Sequence, residues 1–522
     1  MPTATDKAPV VKAAVTARRP SKSSMTAAPY VDVRETHTGV VVLAGDRAYK
    51  VKKPVLTNFL DFRTPGQREY ACLREVELNS RLSPASYLGV AHLTDPTGGP
   101  SEPVVVMRRY NDDDRLASIV ARGPDESVHL ALDSIAGALA RFHDNAERSQ
   151  VINAEGKVGA VNRRFRENLS ELNHYASTSL SGAFFGSLAR IQRLSDDFTL
   201  GRASLFQRRI EDGCIVDGHG DLLADDVFSV DGGPALLDCL EFDDKLRYVD
   251  RIDDAAFLAM DLEFLGRKDF GDYFMERYAL HSGDTAPASL RNFYIAYRAV
   301  VRAKVDCVRL SQGKSQAAQD VAQHLAIASS HLERGGVRLA LIGGNPGTGK
   351  STVARALAEK VGAQVISTDD VRRELRESGV ISGEPGVLNE GLYRHNNVRT
   401  VYEVALRRAS ALLGEGRSVI IDGTWRNPQI RAHAHRIAMQ TFSALVELRC
   451  LVGENMVANR ITTRPSGSSE VTPEIAAAIA GQQGGWDTAY PVDTTRSLEH
   501  SVQAAHDAWC RATYAPGLQN NA

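Results

Sequence analysis

The most chemically specific residues of the chain form one glycine-rich segment, Gly344-Asn345-Pro346-Gly347-Thr348-Gly349-Lys350-Ser351. Its pattern, G-x-x-x-x-G-K-[ST], lets successive backbone N–H groups converge on an anion, because glycine has no Cβ to block the turn. An apolar run precedes the segment and a helical pattern from Thr352 follows it, so a helix N-terminus adds partial positive charge. We expect Lys350 to reach the β- and γ-phosphates of a nucleoside triphosphate and Ser351 to bind Mg²⁺.

Two acidic residues and an arginine are candidates for the rest of this site. Asp369 follows the predicted strand 364–367, and a carboxylate beyond the carboxyl end of a strand can take a proton from an acceptor hydroxyl. Arg372 can hold an anionic group of the acceptor. The structural alternative for Asp369 is a helix N-cap. Asp422 ends an apolar strand and is a candidate to act near Mg²⁺, or it belongs to an ordinary strand-ending turn.

A pair of arginines predicts a lid. Arg460 and Arg464 are four residues apart and therefore share one helix face. A stretch rich in serine and glycine, 465–469, follows them. Such a segment suits a lid that brings arginines over a phosphoryl group in transfer. An ordinary solvated basic face is the alternative.

On these residues, positions 337–515 resemble the P-loop kinases that include gluconate kinase, zeta toxins and the kinase domain of polynucleotide kinase. The resemblance implies ATP with Mg²⁺ as the phosphoryl donor, GTP being the other candidate nucleotide. It implies that Asp369 is the base on the acceptor hydroxyl, that Arg372 contacts the acceptor, and that Arg460 and Arg464 are lid residues. The acceptor varies widely among these relatives.

A second group of aspartates suggests another phosphoryl-transfer site. Asp221, Asp226 and Asp238 lie in the segment 214–239, in which short β-like runs alternate with turns. A kinase-like site needs one carboxylate facing the acceptor hydroxyl and two oxygen ligands for Mg²⁺ on adjacent β elements. The three aspartates have that order and spacing, with Asp221 as base and Asp226 and Asp238 as metal ligands.

The string His219-Gly220-Asp221-Leu222 resembles the catalytic loop of the aminoglycoside phosphotransferase branch of the protein-kinase-like fold, H-G-D-[LI]-x-x-x-N. This chain departs from the pattern at two positions. Asp226 replaces the asparagine, and Leu223 stands where a histidine is frequent. The first departure puts catalytic competence in question, because it adds negative charge beside another carboxylate.

Residues upstream supply candidates for the nucleotide side of that second site. Lys50 and Lys52 lie on one face of a predicted strand, and either can meet the ATP phosphates; Lys50 is favoured. Glu75, in a helical stretch, is the candidate ion-pair partner, or a solvated helix acid. Met107 ends a buried strand whose continuation would touch adenine. The acidic stretch 248–263 is either a surface for a cationic acceptor or a solvated helix face.

Length, charge balance, cysteine content and apolar runs limit the classes of protein to which the chain can belong. The chain has 522 residues, and its 62 Lys and Arg against 64 Asp and Glu disfavour general nucleic-acid binding. Six scattered cysteines without a C-x-x-C pair are typical of reduced thiols in a cytoplasmic protein. We find no apolar run long enough to cross a membrane and no secretory signal. Oligomeric state cannot be read from the chain.

These observations predict three parts: a disordered tail over 1–29, an α+β bilobal protein-kinase-like domain over 30–333, and an α/β P-loop domain with a parallel sheet over 334–517. The whole layout resembles the bacterial bifunctional aminoglycoside phosphotransferase/ATP-binding proteins. The expected activity is ATP- and Mg²⁺-dependent transfer of a phosphoryl group to hydroxyls of small, sugar-like or aminoglycoside-like molecules. The alternatives are a polynucleotide 5′-kinase or a toxin-like sugar-nucleotide kinase, with the first domain as a nucleotide-binding regulator.

Overall fold

The computed structural model describes residues 31–35, 38–56, 61–94, 96–179, 183–384, 390–453, 456–457, 460 and 485–512. The predicted tail and the predicted lid residue Arg464 lie outside these residues. Among the described helices, none has both the length and the apolar character needed to span a lipid bilayer.

The first part of the chain is rich in both strands and helices. In chain order its elements are β1 Val31–Glu35, β2 Gly39–Ala44, β3 Arg47–Lys52, α1 Pro65–Ser80, β4 Tyr87–Leu93, β5 Glu102–Arg108, α2 Leu116–Arg122, α3 Asp125–Asn145, α4 Gln150–Glu155, α5 Val158–Ser179, α6 Ala183–Gly201, α7 Ala203–Glu211, β6 Ile215–Asp217, β7 Val227–Val230, β8 Gly233–Leu236, β9 Tyr248–Asp250, α8 Arg251–Phe264 and α9 Lys268–Ser282.

After two long helices, strands and helices alternate in the second part. The elements are α10 Ala288–Ser311, α11 Ala317–Arg334, β10 Arg338–Gly343, α12 Lys350–Val361, β11 Gln364–Ser367, α13 Thr368–Glu377, α14 His395–Gly414, β12 Val419–Asp422, α15 Pro428–Gln440, β13 Ala444–Leu451, β14 Tyr490–Asp493 and α16 Leu498–Arg511.

The N-terminal strands form an antiparallel sheet in the order β1-β2-β3-β5-β4. Helix α1 packs on β4 and β5 and begins at a capping box, in which the Thr64 hydroxyl accepts the N–H of Gln67 and the Gln67 side chain accepts the N–H of Thr64. Its buried face carries Cys72 and Glu75. This packing fixes a carboxylate against the sheet, directly facing the side chains of β3.

The C-terminal strands form a parallel sheet in the order β11-β12-β10-β13-β14. Every residue of β10 is buried, as expected where helices cover both faces of a parallel sheet. Strands β10, β11 and β12 end side by side, at Gly343, Ser367 and Asp422. The predicted fold class, an α+β part followed by an α/β part with a parallel sheet, is confirmed.

The chain divides into two compact units that do not follow the sequence boundary expected near residue 333. Of the described residues, those up to 157 and those in 209–285 form one unit, and those in 158–208 and from 286 onward form the other. Helices α5, α6, α10 and α11 therefore belong with the P-loop sheet. Within this unit, the Ser289 hydroxyl donates to the Gly416 carbonyl at 2.6 Å, and the buried Arg202 guanidinium donates to the Thr441 carbonyl at 2.6 Å.

Candidate active sites

The predicted phosphate loop lies between β10 and α12, at the carboxyl edge of the parallel sheet. Its backbone requires glycine, since Gly344 has φ 142° and Gly349 has φ 84°. At Gly344 a Cβ would lie 2.7 Å from the Cys450 carbonyl oxygen and equally close to the Thr348 hydroxyl. The loop is therefore shaped in a way that no other residue type at these positions would allow.

Helix α12 begins without a side-chain cap, because its N-cap residue is Gly349. The first-turn N–H groups of such a helix can bind an anion, and the helix dipole adds to the attraction. Lys350, at the start of the helix, donates to the Asn345 carbonyl at 3.3 Å, and the Thr348 hydroxyl donates to the same carbonyl at 2.7 Å. The sequence prediction of a phosphate cradle fits this geometry.

Asp422 is only 5% exposed, and its Oδ1 has no hydrogen-bond partner among the described residues. Burial raises the pKa of this carboxyl group; Lys350 and the Ser351 hydroxyl oppose the rise, and the charge of Asp369 adds to it. Asp422 ends β12 beside the ends of β10 and β11, and Lys350 and Ser351 begin the helix that follows β10, so these groups gather at the same edge of the sheet. A buried carboxylate with a free oxygen beside a serine hydroxyl is a donor set that fits Mg²⁺, which takes one or two protein oxygens and keeps several waters.

Asp369 lies in the first turn of α13 and forms an ion pair with Arg372. The alternative that Asp369 is the N-cap is wrong, since Ser367 occupies that position and its hydroxyl accepts the N–H of Asp370 at 3.4 Å. The Arg372 guanidinium lies 4.8 Å from the centre of the Tyr393 ring. Asp369 is thus left nearly half exposed (46%) at the edge of the sheet, while Arg372 is held by two partners.

A cavity of about 420 Å³ runs along the loop and the first turn of α12. Arg460 lines it and donates to the Thr494 carbonyl at 2.7 Å; Arg464 lies outside the described residues. Sequence reasoning missed Thr494, whose hydroxyl donates to the Thr348 carbonyl at 2.7 Å and lies 3.0 Å from the Leu451 carbonyl. Thr494 thereby ties the phosphate loop to the end of β13. The sequence signal that could have identified Thr494 is the run of polar residues directly after a short apolar strand.

In the other unit, both candidate lysines of β3 reach Glu75, which is fully buried. Lys50 lies 2.9 Å from Glu75 and 2.5 Å from Asp238, while Lys52 lies 2.6 Å from Glu75 and 2.5 Å from Glu241. The alternative that Glu75 is a solvated helix acid is wrong. Lys50 is the lysine that connects Glu75 to a predicted metal ligand. Glu241, which sequence reasoning missed, is the second partner of Lys52.

The three predicted aspartates of this site influence one another. Desolvation, followed by the charges of Asp238 and Asp221, raises the pKa of Asp226 well above its usual range. Desolvation also acts on Asp238, but the Lys50 ammonium outweighs it and lowers the pKa of that carboxyl group. Asp226 and Asp238 would be the residues to hold a divalent cation, whose charge would relieve this repulsion, and two carboxylates are a donor set that fits Mg²⁺. In the described part of the chain, no three His, Cys, Asp or Glu side chains form a metal site from protein ligands alone.

The predicted catalytic loop is held by Asp254, a residue of α8 that sequence reasoning missed. Its carboxylate accepts the backbone N–H groups of His219 at 2.6 Å and Gly220 at 2.9 Å. His143 bonds the same carboxylate at 2.9 Å and the Tyr278 hydroxyl at 2.7 Å, and all these groups are buried. This chain of contacts fixes the backbone next to Asp221.

Most of the stretch 248–263 is not a solvated face, whereas Asp261 and Glu263 near its end are partly exposed, so a role for this stretch in binding a cationic acceptor stays a prediction. Asp250, Asp253 and Asp254 are at most 2% exposed. Asp250 caps α8 and pairs with Arg209 at 2.6 Å. The sequence signal that could have indicated their burial is that these carboxylates directly adjoin an apolar helical run. Met107 is likewise buried, in a cluster with Ala48, Cys72, Tyr87 and Val105, so its contact with adenine stays a prediction.

A protein of Mycobacterium tuberculosis, itself uncharacterised, is 63% identical to this chain over 485 residues, which are 93% of this chain and 96% of that protein. The chain belongs to the same family. A family model described as an AAA domain matches residues 339–482, which include the phosphate loop and Asp422. The C-terminal part is thus a P-loop domain by family as well as by geometry.

Two further similarities concern parts of the chain. A shikimate kinase of Thermobifida fusca is 29% identical over 167 residues, 28% of this chain and 94% of that protein. A choline/ethanolamine kinase family protein of Mesorhizobium loti, known as a crystal structure, is 14% identical with a TM-score of 0.36, covering 58% of this chain and 90% of that one. An ATP-dependent kinase is the enzyme class that the phosphate loop, its carboxylates and the family match over residues 339–482 together indicate.

Proposed function

We propose that the chain is an ATP- and Mg²⁺-dependent phosphotransferase with two active sites, each transferring the γ-phosphoryl group to a hydroxyl of a small molecule. The observation that carries this proposal is the convergence of Lys350, Ser351, Asp422 and Asp369 at one edge of the parallel sheet. A glycine loop, a cation, a buried carboxylate and an exposed carboxylate are the parts that phosphoryl transfer requires, because catalysis here is mainly positioning and charge stabilisation.

In the P-loop unit each residue has a distinct task. The loop amides and Lys350 bind the polyphosphate, and Ser351 with Asp422 would hold Mg²⁺, which neutralises developing charge when bound. Asp369 takes the proton from the acceptor hydroxyl. Arg460, on the cavity wall, stabilises the equatorial oxygens of the phosphoryl group, and Arg464 is assigned the same task.

In the other unit, Lys50 binds the ATP phosphates and is oriented by Glu75, which its position between two carboxylates supports. Asp226 and Asp238 would hold Mg²⁺, and Asp221 is the base on the acceptor. The replacement of asparagine by Asp226 makes this metal site more negative, and we expect it to retain ATP·Mg²⁺ binding.

Nucleotide stoichiometry tests the two-site arrangement. Isothermal titration calorimetry with a non-hydrolysable ATP analogue and Mg²⁺ is expected to give two equivalents per chain. Lys350→Ala and Lys50→Met should each give one equivalent and the double variant none, because each lysine serves one site. Two equivalents that persist in Lys350→Ala would overturn the assignment of the loop.

Transfer itself is tested with a metabolite extract, ATP and Mg²⁺, followed by mass spectrometry for products heavier by one phosphoryl group. Wild type is expected to give products of both sites, Lys350→Ala to lose one set and Asp221→Asn to lose the other. If Asp221→Asn leaves every product intact, the first unit only binds nucleotide. Products on oligonucleotide 5′-ends would favour a polynucleotide kinase instead.

A further inference from the structure

The two lysines of β3 are not equivalent. Lys50 and Lys52 lie two residues apart and therefore share one face of the strand. Lys50 lies within the sheet, between β2 and β5, whereas Lys52 is the last residue of β3 and lies opposite Gly39. The Lys50 side chain keeps 13% of its surface exposed, and that of Lys52 keeps 2%. Lys50 is therefore the more accessible of the two to a nucleotide.

Glu75 uses a different oxygen for each lysine. Its Oε1 lies 2.9 Å from the Lys50 ammonium, and its Oε2 lies 2.6 Å from the Lys52 ammonium. The Glu75 side chain has no exposed surface, so water does not replace either partner. A buried carboxylate needs cationic partners, because burial removes the water that would otherwise stabilise its charge. Lys52 therefore pairs with one oxygen of Glu75 whatever Lys50 does.

Lys52 is held on its other side by Glu241. The Glu241 carboxylate lies 2.5 Å from the Lys52 ammonium, and the centre of the Phe62 ring lies 5.4 Å from it. Glu241 follows Asp238 by three residues in the sequence. The pair of Lys52 and Glu241 thus joins the end of β3 to the segment after β8, and neither residue has a task in the proposed phosphoryl transfer.

Lys50 must change partner for the proposed site to work. Its ammonium also lies 2.5 Å from Asp238, a proposed Mg²⁺ ligand whose side chain is 46% exposed. Lys50 has to leave this carboxylate when it binds phosphates and Asp238 holds Mg²⁺. Without Lys52, the carboxylates of Glu75, Asp238 and Glu241 would share one cation, and both oxygens of Glu75 would attract it. The protein would then hold Lys50 more strongly, at the expense of the phosphates.

We propose that Lys52 and Glu241 are positioning residues for nucleotide binding in the unit of the antiparallel sheet. They fix Glu75 and balance its charge, so that Lys50 keeps one contact with Glu75 and moves from Asp238 to the phosphates. Lys52 acts through Lys50 and does not touch the nucleotide. The inference rests on the proposed function of this unit, because it requires that Lys50 binds the phosphates of ATP.

Affinity for a non-hydrolysable ATP analogue with Mg²⁺ is measured first, by calorimetry on the full chain. All variants carry Lys350→Ala, which confines the analogue to the unit of the antiparallel sheet. Lys52→Met is expected to raise the dissociation constant roughly tenfold or more, since Glu75 loses a charge-assisted contact. Glu241→Gln should raise it less, because Lys52 keeps Glu75 as a partner. Glu241→Gln also decides the question if Lys52→Met does not fold.

Lys53→Met is the matched control. It makes the same substitution one residue later, at a lysine that pairs with the exposed Glu35 at 2.5 Å. The dissociation constant should stay at its Lys350→Ala value, since ion pairs with exposed partners contribute little. An equal loss of affinity in Lys53→Met and Lys52→Met would overturn the inference, because the effect would then come from net charge and not from Glu75.

Chemical labelling then reports the position of the Lys50 side chain. An ATP derivative with an acyl group on its terminal phosphate acylates a nearby lysine amine, which forms an amide and releases ATP, and peptide mass spectrometry locates the label. We expect the label on Lys50 and not on Lys52. At saturating reagent, Lys52→Met should slow the labelling of Lys50 several-fold, because its ammonium stays with Glu75 and Asp238. A merely structural role of Lys52 would lower the unfolding midpoint and leave this saturated rate unchanged.

The outcomes separate this inference from the proposed function. Slower labelling of Lys50 together with weaker analogue binding in Lys52→Met supports the inference. A label on Lys52 in the wild type, or an unchanged analogue affinity or Lys50 labelling rate in Lys52→Met, overturns it and leaves nucleotide binding by this unit standing. If neither lysine is labelled and Lys350→Ala binds no analogue, the proposed function of the unit is itself refuted.

Discussion

At the residue scale, the most consequential contrast is between neighbouring aspartates of α13. Asp369 pairs with Arg372, and that arginine is further held by the Tyr393 ring. Asp370 pairs instead with Arg373, and both of these side chains are more than half exposed. The two ion pairs have the same spacing on one helix, but only the first faces the groups that surround the phosphate loop.

We therefore expect Asp369→Asn to lower kcat by about 10²–10⁴-fold, the usual contribution of a positioned general base. Affinity for the ATP analogue should stay the same, because Lys350 and the loop amides are untouched. The measurement uses the acceptor found in the extract experiment, with steady-state kinetics and calorimetry side by side.

Asp370→Asn is the matched control for Asp369→Asn, and it should be close to wild type in both kcat and stability, since exposed ion pairs contribute little. An equal loss of kcat in both variants would mean that the effect comes from the helix and not from the base.

At the element scale, the two proposed sites are built in different ways. The phosphate loop depends on one local connection, β10 to α12, whose glycines and uncapped helix start are consecutive in sequence. The proposed catalytic loop of the other unit depends on a remote element, α8, which contributes Asp254 from 34 and 35 residues away. The sequence shows the residues of both candidate sites, but it does not show the remote carboxylate that holds the second loop in place.

Asp254→Ala should release the backbone near Asp221 and cost about 1–3 kcal/mol, because two buried N–H donors and His143 lose their acceptor. Hydrogen-exchange mass spectrometry is expected to show faster exchange of the amides of His219 and Gly220. Asp272→Asn, a substitution of an exposed carboxylate on α9, serves as the control. Unchanged protection of the catalytic loop in Asp254→Ala would refute its positioning role.

Asp254 also makes stability depend on pH. Desolvation opposes its charge, but His143 and the amide hydrogen bonds outweigh desolvation and hold the pKa of Asp254 well below its usual range. A carboxyl group with a lowered pKa stabilises the folded state above its unfolded pKa, about 4, and this stabilisation is lost as pH falls below that value. Thermal unfolding of wild type and Asp254→Ala should therefore differ most near neutral pH, and the difference should narrow progressively as pH falls below about 4.

At the scale of the whole molecule, the boundaries of the two compact units differ from the point in the sequence where the α+β part gives way to the α/β part. Helices α5 and α6, which precede the catalytic loop in sequence, belong to the unit of the parallel sheet. Within that unit Phe198 stacks on Phe293 of α10 at 4.5 Å, and Arg202 is 1% exposed. Burial lowers the pKa of Arg202 to about 10. This arginine is therefore a core residue of the P-loop unit, despite its position in the chain.

Arg202→Ala should destabilise the P-loop unit by about 2–3 kcal/mol, since it removes charge-assisted hydrogen bonds to buried carbonyls. Intrinsic fluorescence is a selective readout, because the three tryptophans, Trp425, Trp486 and Trp509, all belong to this unit. Arg193→Ala, at a partly exposed position of α6, is the control. A fluorescence transition at the wild-type denaturant midpoint in Arg202→Ala would argue that α6 is not part of the unit.

The sequence by itself determined the phosphate loop, the strand–loop–helix around it, the parallel sheet and the order of the catalytic aspartates. Each depends on residues close together in the chain, where glycine conformation, apolar runs and helix starts leave a readable pattern. Only the tertiary structure decided that Glu75 serves both Lys50 and Lys52, that Asp254 is buried under the catalytic loop, and that α5 and α6 pack with the P-loop sheet. Those contacts join residues that are far apart in the sequence. A buried charged side chain leaves no pattern in the neighbouring sequence, because it is stabilised by a partner that only folding brings next to it.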